Sequence, residues 1–355
     1  MLKPIFFLND PELMHDSMVR VGATLGKYSL GRKLTWLFLG YKHRKLEQDI
    51  LGIHFKNPIG LSAGFDKNAE LTDVLPYVGF GFIEVGSITG EPCTGNPKPR
   101  LWRLPKSKSL AVYYGLKNDG CDVISKRLEG KKCKVPLGVN VAMTNSLETI
   151  DTHTAINDYT KAFKVMEKVA TYITVNISCP NTCGGQPFVT PHKLDYLFDI
   201  LDEIPTKKPI FIKLSPDLSE SELNDLLDVV HKHRIHGIIC TNLTKQKENN
   251  PLVKDSFVPA VGGLSGKPVE ELSNRMLSYI YKREGKRYML IGLGGVFTAE
   301  DAYKKIRLGA SLVQLITGMI FEGPQVISEI NQGLVKLLDR DGFKSVDEAR
   351  GVDSC

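Results

Sequence analysis

The sequence lacks any apolar run of the roughly 18 residues that a membrane-spanning helix needs, and Pro4-Ile-Phe-Phe-Leu8 is too short for the apolar core of a signal peptide. It also lacks a second Cys or His pair that would complete a metal site with Cys179 and Cys183. The seven cysteines are an odd number, which is typical of reduced intracellular thiols rather than of a disulfide framework. We therefore predict a protein that is not exported and binds no metal.

The composition is that of an ordinary globular protein, because 42% of the 355 residues are hydrophobic and 24% are charged. A chain of this length has room for one large domain with appendages or for two small ones. Its net charge of +6 suits a protein that meets anionic ligands or an anionic membrane surface, although such a balance is also common on a merely solvated surface. We expect no nucleic-acid partner, and the oligomeric state stays open.

The first fifty residues predict two amphipathic helices. Asp10 or Asn9 can cap the first helix, with Pro11 at its first position. Apolar residues recur at helical spacing, namely Met14, Met18, Val21 and Leu25 in the first helix and Leu30, Leu34, Leu37, Phe38 and Tyr41 in the second. Basic residues surround the second helix: Arg32, Lys33, Lys42, Arg44 and Lys45. An apolar face with a basic rim is typical of a helix that lies in a membrane interface. The alternative is a helix pair that packs on the main domain.

From Leu51 onward, strand and helix patterns alternate. The predicted strands are residues 58–63, 79–86, 136–141, 172–178, 209–214, 236–241, 288–292 and 311–317. The predicted helices are residues 68–77, 153–169, 191–202, 219–232, 268–283, 298–308 and 323–338. Eight strand–helix units predict a TIM (β/α)8 barrel, with a doubly wound open sheet as the alternative. We assign residues 1–50 to the amphipathic helix pair, 51–340 to the barrel and 341–355 to a C-terminal tail.

Polar residues or glycines stand at the predicted end of every strand. In a TIM barrel these ends meet at one rim, where catalytic groups lie. The glycine turns at 262–266 and 294–295 suit a phosphate held by backbone N–H groups, although paired glycines most often simply make a turn. Lys67 and Lys213 stand at strand ends, where their charges would hold anions. The rim therefore suits a flavin mononucleotide (FMN), with Lys213 near the pyrimidine edge of the flavin ring.

The fourth strand leads into residues 174–182, which read TVNISCPNT. Pro180 cannot donate a ladder hydrogen bond, so the strand is predicted to end at Ser178 and Cys179. Asn176 and Asn181 flank the thiol and supply donors and acceptors around one group that can carry a proton. This arrangement predicts an active site. The alternative is a buried structural cysteine beside turn-forming asparagines.

Seven segments match the pattern of one known family. They are residues 57–67 (NPIGLSAGFDK), 79–89 (GFGFIEVGSIT), 95–104 (GNPKPRLWRL), 176–182 (NISCPNT), 262–268 (GGLSGKP), 291–296 (IGLGGV) and 308–314 (LGASLVQ). Together they closely resemble the dihydroorotate dehydrogenase family of FMN-dependent TIM barrels. The resemblance extends from near Asp10 to Leu338, which is nearly the whole chain. It implies that the protein oxidises dihydroorotate to orotate in pyrimidine synthesis, with FMN as the hydride acceptor.

The resemblance also implies a role for individual residues. Contacts to FMN would come from Ala63, Gly64, Lys67, Ser87, Asn140, Asn176, Lys213, Thr241, Gly266, Gly295, Ile316 and Thr317. The substrate would be held by Lys67, Asn176, Asn181 and Asn242, with Lys67 at its carboxylate. Cys179 would remove the proton from C5 of dihydroorotate while a hydride passes from C6 to the flavin. A thiol acts as a base only where its surroundings favour the thiolate, and Lys67 and Lys213 would help to provide that.

The chain combines features of two branches of this family. One branch is quinone-linked and membrane-associated, with an N-terminal helix pair and a Ser base, whereas the best known soluble branches use a Cys base. The N-terminal helices, His15 and Arg103 resemble the quinone-linked branch, in which they would frame a quinone site, while Cys179 resembles the soluble branches. The resemblance therefore implies a membrane quinone as partner and a peripheral position on an anionic membrane surface, on the cytoplasmic face.

Two positions depart from the family pattern. Residues 112–115 read VYYG where the family places a substrate-binding Asn in an Asn-x-x-Gly turn, and Leu243 stands where Thr or Ser usually follows the sixth-strand Asn. Either one of Tyr113, Tyr114, Lys117 and Asn118 substitutes for the missing group, or the substrate is not dihydroorotate. Two other hypotheses follow: a related FMN oxidoreductase that acts on another pyrimidine-like or unsaturated cyclic compound, and a catalytically silent flavin-binding protein.

Overall fold

The computed structural model describes residues 7–248 and 250–354, and within these residues eight parallel strands close into a barrel. The strands are β1 (Ile59–Leu61), β2 (Phe82–Ile88), β3 (Leu137–Val141), β4 (Tyr172–Asn176), β5 (Ile210–Leu214), β6 (Gly237–Cys240), β7 (Met289–Leu293) and β8 (Leu312–Leu315). The ring closes because β8 pairs with β1, with Val313 opposite Ile59. The predicted TIM barrel is confirmed, and its strands lie where the strand patterns placed them. The open sheet is excluded.

Helices connect the barrel strands. They span Leu75–Val78, Cys121–Leu128, Thr152–Glu167, Pro191–Asp202, Glu220–Val230, Glu270–Glu284, Ala299–Arg307, Thr317–Glu322 and Val326–Arg340. Short 3₁₀ turns occupy Arg44–Leu46, Glu148–Ile150, Pro187–Val189 and Lys267–Val269. Ser219 and Thr298 form capping boxes at the helices that follow them. These helices bury the outer face of the barrel, so the strands read as nearly continuous apolar runs.

The helix predicted at 68–77 is wrong over most of its length, since only Leu75–Val78 is helical. The carboxylate of Asp66 accepts the backbone N–H groups of Glu70 and Leu71 at 2.8 and 2.9 Å, which folds this stretch into turns. Ala69 also adopts a positive φ of 56°, which an α-helix does not allow.

The ends of the barrel differ. At the end where the strands begin, the hairpin Gln48–Ile50 and Ile53–Phe55 covers an apolar cluster, and Phe55 meets Phe82 edge-on with ring centroids 5.6 Å apart. At the other end, the chain forms an antiparallel sheet of Leu101–Leu104, Ser109–Val112 and Gly263–Leu264. The sequence patterns did not reveal this sheet. It carries Arg103 and Val112 beside the ends of the barrel strands.

The N-terminal helices α1 (Pro11–Lys27) and α2 (Ser29–Leu39) form a pair that packs against the barrel, where α2 contacts the Leu75–Val78 helix. The pair also keeps an exposed apolar face, made of Leu13, Val21, Leu25, Leu30, Leu34, Trp36, Leu37 and Phe38. The α1–α2 pair therefore both packs against the barrel and keeps an apolar face exposed. None of the described helices is both long and apolar enough to cross a membrane.

The C-terminal residues pack onto the barrel. The short helix Val346–Ala349 buries both of its end residues. Asp353 accepts from the guanidinium of Arg307 at 2.6 Å, and Arg350 donates to Ser311 Oγ at 2.8 Å. These contacts attach the segment to the helix that precedes β8 and to the residue just before β8.

Candidate active site

The rim formed by the carboxyl ends of the strands contains a cavity that brings together many of the residues predicted to bind a cofactor. Its lining includes Ala63, Lys213, Thr241, Gly266, Gly295, Ile316 and Thr317, together with Ser62 and Asn242. Each of these residues follows or ends a barrel strand, apart from Gly266, which the short strand Gly263–Leu264 brings to the same place. The parallel register of the strands therefore assembles the site from positions far apart in the sequence.

One end of this cavity has the donor groups that a phosphate requires. Gly266 and Gly295 adopt positive φ angles of 73° and 76°, which non-glycine residues rarely adopt. Gly318 is the second residue of the Thr317–Glu322 helix, and a Cβ there would collide with the carbonyl oxygen of Val296. The start of the helix therefore packs against the segment after β7 only because this side chain is missing. Thr317 Oγ1 donates to Ser265 Oγ at 2.8 Å, which adds two hydroxyl groups. Backbone N–H groups, hydroxyls and a helix start in one place fit a phosphate group.

Gly64, which follows the cavity residue Ala63, borders open space. A Cβ on Gly64, which has a φ of 116°, would meet only Ile316 Cδ1, at 3.5 Å. Ser87, Asn140 and Asn176 lie behind it in a hydrogen-bonded row. Asn176 Nδ2 donates to Ser87 Oγ at 2.9 Å, and Ser87 Oγ donates to Asn140 Oδ1 at 2.5 Å. The residues present therefore fit a flavin nucleotide at both its phosphate and its ring.

Lys213 supplies a positive charge at the floor of the cavity. It is 4% exposed, and its Nζ donates to Ser62 Oγ at 3.4 Å. Burial lowers the pKa of Lys213, while the carboxylate of Glu84 acts in the opposite direction. A buried ammonium group held by a hydroxyl attracts a ligand that carries or develops negative charge.

Glu84 is a site residue that the sequence reasoning missed. It is fully buried inside the barrel, where its carboxylate accepts from Asn140 Nδ2 at 2.9 Å and from three further donors, Tyr172 Oη, Thr174 Oγ1 and Gln314 Nε2, at 3.1 to 3.2 Å. Its signal in the sequence is an acidic residue inside an otherwise apolar strand, since Glu is almost never fully buried unless it is paired. Glu84 orients the Asn140 amide, whose oxygen accepts from Ser87 Oγ.

Cys179 follows β4 in a segment held by side-chain amides. Asn176 Oδ1 accepts from the Ser178 backbone N–H at 3.2 Å, and Asn242 Nδ2 donates to the Ser178 carbonyl at 2.9 Å. Burial raises the pKa of Cys179 to about 11, whereas the Asn181 backbone N–H and the charges of Lys213 and Lys245 act to lower it. Lys213 thus acts in the expected direction, but burial outweighs it. This balance favours the thiol over the thiolate at neutral pH.

Lys67 lies outside the cavity that contains Lys213. It lines a neighbouring cavity beneath α1 with His15, Asp16 and Phe65, and its Nζ lies 4.0 Å from the ring centroid of Tyr114. Burial lowers the pKa of Lys67 to about 8, while Asp16 acts to raise it. Lys67 therefore joins the strand-end rim to the N-terminal helices.

The predicted substrate amides are partly engaged with the protein. Asn181 Nδ2 donates to the Val112 carbonyl at 2.8 Å, and Asn242 Oδ1 accepts from the Leu243 backbone N–H at 2.9 Å. Val112 pairs with Gly263, and a Cβ on Gly263 would lie 2.8 Å from Leu243 Cβ. Val112 and Leu243, the two residues that depart from the family pattern, therefore both lie next to Gly263.

The four residues that could replace the missing Asn at position 112 have different surroundings in the structure. Asn118 uses its amide to bond Thr89 Oγ1 and the Leu116 carbonyl, both at 2.8 Å. Lys117 pairs with Glu12 at 3.7 Å, and Tyr114 lies beneath Lys67. Tyr113 lines the cavity that contains Asn181, Pro180 and Lys245. Tyr113 is therefore the residue of the four that borders the Asn181 side of the site.

His15 lies on α1 and Arg103 contacts the residues before α1, and of the two only His15 lines the cavity that contains Lys67. His15 Nε2 lies 2.8 Å from the Phe65 carbonyl, and burial together with the charge of Lys67 lowers the pKa of His15. Arg103 donates to the Asn9 carbonyl at 2.7 Å and stacks on Phe7, with its guanidinium carbon 4.8 Å from the ring centroid. His15 is therefore the nearer of the two to Lys67 and the rim.

Comparisons with known proteins agree with this geometry. The sequence profile of the family described as dihydroorotate dehydrogenase matches residues 45–338. The dihydroorotate dehydrogenase (quinone) of Natronomonas pharaonis is 39% identical over 353 residues, which cover 99% of this chain and 98% of that protein. The protein of the same name from Haloarcula marismortui is 40% identical over 309 residues, covering 87% and 86% of the two chains.

Solved structures give the same result. A crystal structure of DHODH from Eimeria tenella in complex with ferulenol superposes with a TM-score of 0.87 at 32% identity, covering 97% of this chain and 96% of that one. The sequence match and the structural match both extend over most of the chain. The chain therefore belongs to the dihydroorotate dehydrogenase family.

Proposed function

We propose that this protein oxidises dihydroorotate to orotate and passes the electrons through bound FMN to a membrane quinone. The observation that carries the proposal is the convergence of Lys213, the glycine and hydroxyl donors and the Cys179 segment on one rim of the barrel. The family implies a flavin cofactor, and relatives that match nearly the whole chain are named dihydroorotate dehydrogenase (quinone). The predicted enzyme class is confirmed by this membership.

The cavity suggests how the chain would hold FMN. Backbone N–H groups at Gly266, Gly295 and Thr317 would bind its phosphate, and Gly64 would lie against its ring. Lys213 would neutralise negative charge at the pyrimidine edge, because its ammonium group is buried at the floor of the cavity. When bound, FMN supplies a ring that accepts a hydride, which is one proton with two electrons, from the substrate.

The protein residues would then bind dihydroorotate and move one proton. Asn176, Asn181 and Asn242 would orient the ring of the substrate, and Lys67 would pair with its carboxylate. Cys179 Sγ would take the proton from C5, which requires the thiolate. Since burial holds the pKa of Cys179 near 11, formation of the thiolate is expected to limit the rate at neutral pH.

The proposal is tested by anaerobic mixing of the flavin-loaded protein with dihydroorotate while the visible absorbance of the flavin is followed. We expect rapid bleaching. A flavin that dithionite bleaches and dihydroorotate does not would contradict the proposal. That outcome would favour a related FMN oxidoreductase acting on another pyrimidine-like or unsaturated cyclic substrate, which is the second candidate because Val112 and Leu243 make an apolar edge beside Asn181.

We also propose that the α1–α2 pair lies on an anionic membrane surface, at the cytoplasmic face, and gives a quinone access to the rim. Leu37 and Phe38 are 73% and 77% exposed at the end of α2, and Arg32 and Lys33 lie on the same helix. A helix with such a face binds lipid by apolar burial and by attraction to anionic headgroups. Co-sedimentation with vesicles of anionic phospholipid measures this binding, and equal recovery with and without vesicles would contradict it.

A further inference from the structure

A buried ion pair joins α1 to the barrel. Glu12 is 4% exposed and Arg100 is 5% exposed, and the guanidinium binds both carboxylate oxygens at 2.8 to 3.2 Å. Lys98 and Lys117 approach the same carboxylate at 3.5 and 3.7 Å. Burial acts to raise the pKa of Glu12, but Arg100 and the two lysines outweigh it and lower the pKa, so the pair is charged. Removing one partner would leave the other as an unpaired buried charge.

The other edge of Arg100 holds a turn at the rim. Its Nη1 donates to the carbonyls of Thr94 and Asn96 at 2.8 and 2.9 Å. Gly95 between them has a φ of 76°, and a Cβ there would collide with the Tyr114 carbonyl and lie 2.9 Å from Arg100 Nη1. The turn is therefore packed directly against the guanidinium. One side chain holds α1 on one edge and residues 94–96 on the other.

Asn96 extends this connection to the loop that carries the proposed base. Its Nδ2 donates to the Asn181 carbonyl at 2.9 Å, and its Oδ1 accepts from Asn145 Nδ2 at 3.0 Å. Asn145 Oδ1 in turn accepts from the Cys183 backbone N–H at 2.7 Å. The turn at 94–96 thus holds the loop of residues 179–185, called here the Cys179 loop, at two points, Asn181 and Cys183. Glu12, Arg100, Asn96 and Asn181 form an unbroken series of contacts from the helix pair to the substrate side.

We infer that Glu12, Arg100 and Asn96 are positioning residues that couple α1 to the Cys179 loop. The packing of α1 against the barrel then controls dihydroorotate binding as well as access of the quinone. The inference rests on the proposed function. It differs from a role of the helices in quinone binding alone, because it predicts an effect on a half-reaction in which no quinone takes part. The coupling acts through rigid contacts that both elements share.

The test compares Glu12→Gln, Asn96→Ala and the double variant with Asp10→Ala, all as flavin-loaded full chains. Asp10 caps α1 through the Leu13 N–H at 2.8 Å and does not touch Arg100, so its removal weakens the same helix without breaking the series of contacts. Anaerobic flavin reduction gives the half-saturating concentration of dihydroorotate and the limiting rate. We expect each single variant to raise that concentration about fivefold to tenfold with little change in limiting rate.

The double variant is expected to do no more than the stronger single variant, because both break one connection. Asp10→Ala is expected to match the wild type. The inference is overturned if the double variant shows the product of the single effects, or if Asp10→Ala weakens substrate binding as much as Glu12→Gln. Asn96→Ala removes no charge, so it keeps the inference testable should Glu12→Gln fail to fold.

Amide hydrogen exchange gives a readout that does not depend on the substrate. Glu12→Gln is expected to speed exchange across residues 181–185, where the Cys183 N–H is held by Asn145, and Asp10→Ala is not. Unchanged exchange in this loop would overturn the inference. If dihydroorotate does not bleach the flavin of the wild-type protein, the proposed function is contradicted. The coupling is then tested by the hydrogen-exchange result alone.

Discussion

The pH dependence of flavin reduction is the sharpest prediction of the proposed chemistry. The reactive form of Cys179 is the thiolate, and burial raises the pKa of the thiol to about 11. Below that pKa, each pH unit increases the thiolate fraction about tenfold. With saturating dihydroorotate, the observed rate of anaerobic flavin reduction is therefore expected to rise about a hundredfold between pH 7 and pH 9.

Stopped-flow measurement of the flavin absorbance at several pH values is the assay. Cys179→Ala is expected to keep the yellow flavin and lose reduction by dihydroorotate at every pH. Cys133→Ala removes another partly buried thiol, whose Sγ donates to the Thr72 carbonyl, and is the matched control that keeps the wild-type slope. A wild-type rate that is level from pH 7 to pH 9 would refute the reasoning from burial.

At low substrate concentration, the pKa of Lys67 adds a second feature to the pH dependence of flavin reduction. Its pKa is lowered to about 8, and the protonated form is the one that pairs with the substrate carboxylate. Above pH 8 the loss of protonated Lys67 offsets the gain of Cys179 thiolate. The second-order rate constant is therefore expected to rise about tenfold per pH unit below pH 8 and to level off above it. A continued rise above pH 8 would show that Lys67 does not bind the substrate.

Three further substitutions test other parts of the site. Lys213→Met removes a buried charge, so we expect it to raise the Tm of the flavin-free protein by roughly 2 to 4 °C and to weaken flavin binding, and a lower Tm with unchanged flavin affinity would contradict this. Val112→Asn restores the amide of the family pattern and is expected to lower the half-saturating concentration of dihydroorotate about tenfold, whereas an unchanged value would favour Tyr113 as the residue that compensates. Replacing Leu37 and Phe38 together by Glu is expected to reduce binding to anionic vesicles about tenfold or more and to spare the reduction of a soluble dye. An equal loss of activity with a membrane quinone and with the dye would argue against a membrane role.

The barrel was predictable because its strands are buried and their ends share one rim. Each strand is a short run of apolar residues that ends in a glycine or polar residue, and this pattern depends on local sequence alone. The row of Ser87, Asn140 and Asn176 follows directly, since parallel strands place their carboxyl ends side by side. The sheet of Leu101–Leu104, Ser109–Val112 and Gly263–Leu264 was not predicted, because its strands are short and Gly263–Leu264 pairs with Ser109–Val112 across more than 150 positions of the chain.

The electrostatics of the site were less accessible from sequence. Burial decides the pKa of Cys179, and burial depends on packing that no spacing rule describes. Lys67 was expected at the rim, where its charge would hold an anion, but it lines a cavity with His15 beneath α1 and lies over the Tyr114 ring. The helix predicted at 68–77 failed for a similar reason, since the carboxylate of Asp66 captures the N–H groups that would have begun it.

The most direct test of the proposed function follows both halves of the reaction in one sample. The flavin-loaded protein, bound to vesicles of anionic phospholipid that contain a quinone, is mixed anaerobically with a limiting amount of dihydroorotate. We predict that the flavin absorbance bleaches and then recovers, with one quinone reduced for each orotate formed, and that vesicles without quinone leave the flavin bleached. A flavin that dihydroorotate bleaches but the quinone does not reoxidise would contradict the assignment of the electron acceptor.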